Sequence, residues 1–137
     1  MPSLYSYSIE NINKKINDLI ELGYSKKEVL YLLYELPALF GLTLENIKNK
    51  VEFLKDIGLG DIIIKKPKYL IQSIDLTYAR YHYLISKNIV ITPEKYSLLF
   101  KGETAFEKQY GVKKQELIEK YNYKKYIEEK TKNGRII

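Results

Sequence analysis

Lys65, Lys66 and Lys68 put three ammonium groups into four residues, inside the stretch IIIKKPKYL at 62–70. A lysine ammonium acts as a point charge on phosphate oxygens, so such a cluster has the chemistry to hold a polyanion backbone. The same cations would also complement the negative end of a helix and keep its surface wet. A second group is Arg80, His82 and Lys87 around Tyr83. Arg80 and Lys87 are seven residues apart, which puts them nearly on one face of a helix two turns on. The largest group is Lys108, Lys113, Lys114, Lys120, Lys124 and Lys125, interleaved with Tyr110, Tyr121, Tyr123 and Tyr126. Basic residues alternating with aromatic rings can track phosphates and stack unpaired bases. Glu116, Glu119, Glu128 and Glu129 dilute this set, and such pairs also describe an ordinary solvated helix.

Other chemistry has a poor inventory. The chain has no cysteine, which removes disulfides, thiolate metal sites and cysteine nucleophiles. With His82 as the only histidine, no multi-histidine metal site can be assembled. Serine, glutamate and lysine are present without the spacing of a catalytic motif, so the expectation is a protein without catalysis, metal or cofactor. His82 itself reads as a packing or surface residue rather than a ligand.

The 137 residues are 45% hydrophobic and 29% charged, the balance of one folded domain. A net charge of +6 favours polyanionic partners, and residues 106–137 carry nine cations against five acids. Only Arg80 and Arg135 of the 23 cations are arginines. No apolar run approaches the length that crosses a bilayer, so no membrane partner is expected. The opening MPSLYSYSIE resembles neither a secretory signal nor a transit peptide, and the expected compartment is the cytoplasm, or an organelle where an address has been removed.

The elements that must position these cations follow from an internal repeat. LIELGYS, LKDIGLG and LISKNIV each place a leucine (Leu19, Leu54, Leu84) four residues before Gly23, Gly58 or Asn88. Glycine and asparagine tolerate the left-handed conformation that ends many helices, so each marks a helix end. Upstream, apolar residues recur at helical spacing: Ile9, Ile12, Ile16, Leu19 and Ile20, then Ile47, Val51, Leu54 and Ile57, then Leu76, Ala79, Tyr83 and Leu84. Thr43 and Asp75 sit where N-caps belong. Downstream, Ser25 and Glu28 form a capping box and Pro37 stops a short second helix.

Three consecutive isoleucines would suit a strand. Aligned on the first repeat, however, Ile62, Ile63 and Ile64 occupy the short second helix and Pro67 its stop. After each proline an apolar pair, Leu39 and Phe40 or Tyr69 and Leu70, suits a 3₁₀ turn. In the third repeat Thr92 and Pro93 predict another short helix, followed by two helical segments, the first closed by Gly111. The reading is a single domain over 1–137, with units at about 9–42, 43–73 and 74–111, a helical cap at 112–130 and a frayed tail at 131–137.

Leucine, three residues, glycine, a short helix, then proline and an apolar pair, repeated about every 30 to 35 residues, resembles the mitochondrial transcription termination factor (mTERF) repeat. The ending ITPEKYSLLFKGETAFEKQYG is similar to the way such arrays finish. The resemblance implies an all-α solenoid of helix pairs with 3₁₀ turns, coiled into a right- or left-handed superhelix. It implies nucleic-acid binding, DNA or RNA, on the inner surface, with a role in transcription regulation or termination. Helical-repeat scaffolds also take protein partners, so a peptide or helix on the concave face is the alternative. Scarce arginine predicts weak sequence specificity, because guanine is read mainly by bidentate guanidinium groups.

Overall fold

The computed structural model describes the backbone of residues 9–136 and side chains through residue 130; the opening segment and the Arg135 side chain lie outside that range. Every regular element among the described residues is helical, with no strand. The chain divides into two compact units between Ile71 and Gln72.

In the first unit, α1 (Ile9–Glu21), α2 (Lys26–Glu35) and a 3₁₀ turn (Pro37–Gly41) precede α3 (Leu44–Asp56), α4 (Ile62–Lys65) and a second 3₁₀ turn (Pro67–Ile71). The isoleucine triplet is therefore helix, and its end at Pro67 follows from the missing N–H and the ring clash. In the second unit, α5 (Ile74–Ser86) leads to a third 3₁₀ turn (Tyr96–Phe100), then α6 (Glu103–Tyr110), α7 (Lys114–Lys120) and α8 (Tyr123–Ile136).

The three helix ends are equivalent. Gly23, Gly58 and Asn88 all have positive φ, at 111°, 81° and 61°. At Gly58 the chain closes with Leu59 N–H donating to Leu54 O (2.7 Å) and Gly58 N–H to Lys55 O (3.1 Å). Asn88 and Ile89 repeat the pattern on Ile85 and Leu84, the paired bonds of a Schellman end. Leu19, Leu54 and Leu84 lie buried at the eleventh position of three helices that are each 13 residues long. Leu39, Leu70 and Leu99 bring one leucine of each 3₁₀ turn into the core. The capping box of Ser25 and Glu28 is present, with both reciprocal bonds.

Several expectations are corrected. α5 is capped by Ser73, whose hydroxyl accepts from Leu76 N–H at 3.2 Å; Asp75 instead lies in the first turn, where a carboxylate favours the positive helix end. Thr92 and Pro93 open only a turn, closed by Lys95 N–H to Thr92 O, before the chain enters the 3₁₀ helix. The last helical segment is broken at Tyr121 and Asn122, because the Asn122 amide oxygen accepts from Lys125 N–H at 3.0 Å and starts a new helix there. The backbone stays helical through Ile136, where a frayed tail from residue 131 was expected. Ile9 is 77% exposed, so the core stripe of α1 does not begin there.

Candidate nucleic-acid interface

In the first unit, Lys65 and Lys66 at the C-terminal end of α4 and Lys68 in the following 3₁₀ turn are all exposed. With Pro67 and Glu35 they rim a depression of about 300 Å³. Pro67 is buried and fixes where the turn begins, so the three ammonium groups emerge from a rigid corner rather than from a loop. Lys68 also lies 5.8 Å from the centroid of the Tyr69 ring.

In the second unit, Lys87 caps the C-terminus of α5 and is exposed, its ammonium 5.7 Å from the Tyr83 ring centroid. Lys108 on α6 and Lys113 at the start of α7 line a broad depression of about 480 Å³, with Glu107 and Glu116 on the same surface. Lys114, Lys120, Lys124 and Lys125 are exposed on α7 and α8. Two depressions thus collect five of the predicted lysines, each mixed with a carboxylate.

Arg80 overturns its expected role. It is 2% exposed, and so does not share an accessible face with Lys87. Its Nη1 donates to Leu99 O (3.0 Å) and Lys101 O (2.7 Å), and its guanidinium lies 4.3 Å from the Phe106 ring centroid. Gln72 Nε2 donates to the same Leu99 oxygen at 2.8 Å. Burial lowers the Arg80 pKa from its ordinary value, with Glu103 opposing the shift. The side chain is a fastener for the third 3₁₀ turn, and α5 places it there because Leu76, Ala79, Tyr83 and Leu84 fix which face turns inward.

Two more fasteners went unread in the sequence. Lys50, 5% exposed on α3, donates from Nζ to Leu70 O at 2.6 Å, and Lys15 on α1 donates to Leu42 O. Lys15, Lys50 and Arg80 are each the seventh residue of a long helix, and each binds a carbonyl in or just after the 3₁₀ turn of its own repeat. Such carbonyls cannot be satisfied within a five-residue 3₁₀ turn, and a long cationic side chain supplies the missing donor. Burial lowers the pKa of Lys50, and of Lys15 against the opposing pull of Asp18. The signal that identifies them is spacing: Lys15, Lys50 and Arg80 are separated by 35 and 30 residues, the offsets of the leucines.

His82 packs as expected. Its ring lies 4.3 Å from Tyr78, 5.3 Å from Tyr81 and 6.2 Å from Tyr121. This burial pulls the imidazole below its ordinary pKa of 6.5. The unfolded chain therefore binds the proton more readily, so the His82 contribution to stability is present above that range and is lost as pH falls through it. Urea midpoints at neutral and mildly acidic pH should diverge in the parent protein, and His82→Phe should narrow that difference. An unchanged difference would contradict the assignment.

Among the described residues, no group of three or more histidine, cysteine, aspartate or glutamate side chains could hold a metal ion. No helix among them is long and apolar enough to cross a membrane. A family model described as mTERF matches residues 1–107 of the 137. No curated protein and no solved structure matches the chain.

Proposed function

We propose, because this chain belongs to the mTERF family, that it is a non-catalytic protein that binds nucleic acid mainly through its phosphate backbone. The observation that carries this reading is the fate of the cations. Every lysine of the predicted sites is exposed, whereas Arg80 is consumed inside the core. Ammonium groups neutralise phosphates without reading base edges, and the one described arginine cannot reach a guanine. Each unit supplies its own set, Lys65, Lys66 and Lys68 in one and Lys87, Lys108, Lys113, Lys114, Lys120, Lys124 and Lys125 in the other. A lysine-lined groove, a superhelical array and a role in transcription regulation or termination complete the reading.

Fluorescence anisotropy with generic duplex DNA, single-stranded DNA and RNA tests it. Affinity should vary little with sequence and fall steeply with salt, by about 0.9 in the log–log slope for each duplex phosphate contacted. Binding to none of the three at low salt would rule the function out.

A second reading, a scaffold for a partner peptide or helix, draws on one observation. Leu30, Tyr31 and Tyr34 on α2 are 48%, 41% and 69% exposed, an apolar patch that a protein partner could cover. Salt-insensitive recovery of a partner after nuclease treatment would favour it.

A further inference from the structure

The family match ends at residue 107, and α7 and α8 lie beyond it. These two helices pack on α5 and bring Tyr121, Tyr123 and Tyr126 against Tyr78 and His82. We propose that this cluster is a stacking platform for the unpaired bases of single-stranded nucleic acid, an inference that rests on the nucleic-acid reading above and narrows it to a strand form.

Four rings follow one another in series. Tyr121 and His82 have centroids 6.2 Å apart and planes 21° apart, His82 and Tyr78 are 4.3 Å apart and tilted at 52°, and Tyr78 and Tyr126 are 5.2 Å apart at 27°. Two further rings brace the series from the side: Tyr81 stands edge-on to His82 and Tyr123 edge-on to Tyr78. The terminal rings each have an ammonium near them, Lys120 at 5.6 Å from Tyr121 and Lys130 at 5.9 Å from Tyr126. Lys124 and Lys125 are exposed on the first turn of α8.

This arrangement differs from core packing in one respect. Tyr123, the packing member, is 7% exposed, whereas Tyr126 is 37% exposed and Tyr121 is only half-buried. Rings held in place by neighbours yet open to solvent lose little entropy when a flat partner docks, which is what a base-stacking site requires. Lysines beside the terminal rings can exchange the ring for a phosphate as a base arrives. His82, depressed by burial, remains a neutral ring that adds no charge to the middle of the series. In a duplex the base faces are already stacked on one another, so the platform selects a single strand.

The test uses the full chain with a short single-stranded thymidine oligonucleotide, whose bases stack weakly, carrying a central 2-aminopurine, and the matching duplex. Binding should quench the 2-aminopurine emission of the single strand. Tyr126→Ala and Tyr121→Ala should each weaken single-strand binding about tenfold, while leaving the salt slope and the duplex affinity unchanged. Tyr126→Phe and Tyr121→Phe keep the ring and should bind like the parent, which separates stacking from loss of fold or of a hydroxyl. The ribonucleotide version should lose the same factor in the alanine variants. Alanine variants that bind the single strand like the parent, or that lose single strand and duplex equally, would overturn the platform. Duplex binding without any single-strand preference would overturn it and leave the proposed function standing; no binding of either form would remove both.

Discussion

Arg80→Ala is expected to cost the C-terminal unit about 3–5 kcal/mol and to unfold it at urea concentrations that leave the parent protein intact. The guanidinium is the donor to Leu99 O and Lys101 O, and one of those carbonyls also receives Gln72. Truncation leaves the Lys101 oxygen without that donor, opens a cavity beside Phe106 and removes the ring contact at 4.3 Å. Each stranded acceptor costs about 1–3 kcal/mol, and the cavity adds to it. Arg80→Lys should recover only part of the loss, because one ammonium cannot reproduce the guanidinium contact over the Phe106 ring. Chemical denaturation followed by circular dichroism measures both. A loss under about 1 kcal/mol for the alanine variant would mean the third 3₁₀ turn holds without its fastener.

Removing charge from the surface should do the opposite, leaving stability nearly intact while weakening binding. Lys65→Ala, Lys66→Ala and Lys68→Ala combined should lower the log–log salt slope for duplex DNA by up to about 2.7, and affinity at 0.1 M salt by roughly a hundredfold or more. The triplet Lys108→Ala, Lys113→Ala and Lys114→Ala should act likewise if both depressions meet phosphates. Lys50→Met is the informative control. Its ammonium is buried on Leu70 O, so its loss changes the urea midpoint and not the salt slope. A surface triplet that leaves the slope unchanged marks an ordinary hydrated face.

The two experiments divide cations that look alike in the text. Gly23, Gly58 and Asn88 were legible because left-handed backbone needs a particular residue type, and all three take it. The isoleucine triplet was legible as helix only through its alignment with the first repeat, since its residue types alone favour a strand. The lysines of the candidate sites are exposed, as charge on residue type alone suggests, and the same assumption fails for Arg80. What decided Arg80 was a demand from a distant carbonyl, which residue type does not reveal. Ser73 over Asp75 as the cap of α5 turned on which side chain reached Leu76 N–H, a choice between two good capping residues. The tyrosine series was visible as composition, but the pairing of Tyr78 with Tyr126 and of His82 with Tyr121 needed α7 and α8 to fold back on α5.

The long helices keep one length, 13 residues, while the helix after each shrinks from ten residues to four and then to a bare turn. Each internal fastener joins the long helix directly to the 3₁₀ turn, bypassing that variable piece. Length differences between repeats are thereby absorbed by the second helix, like a strap whose length does not alter the grip of its buckle. An insertion that keeps Val29, Leu32 and Leu33, or Ile62 and Ile63, in the core should leave those clasps closed.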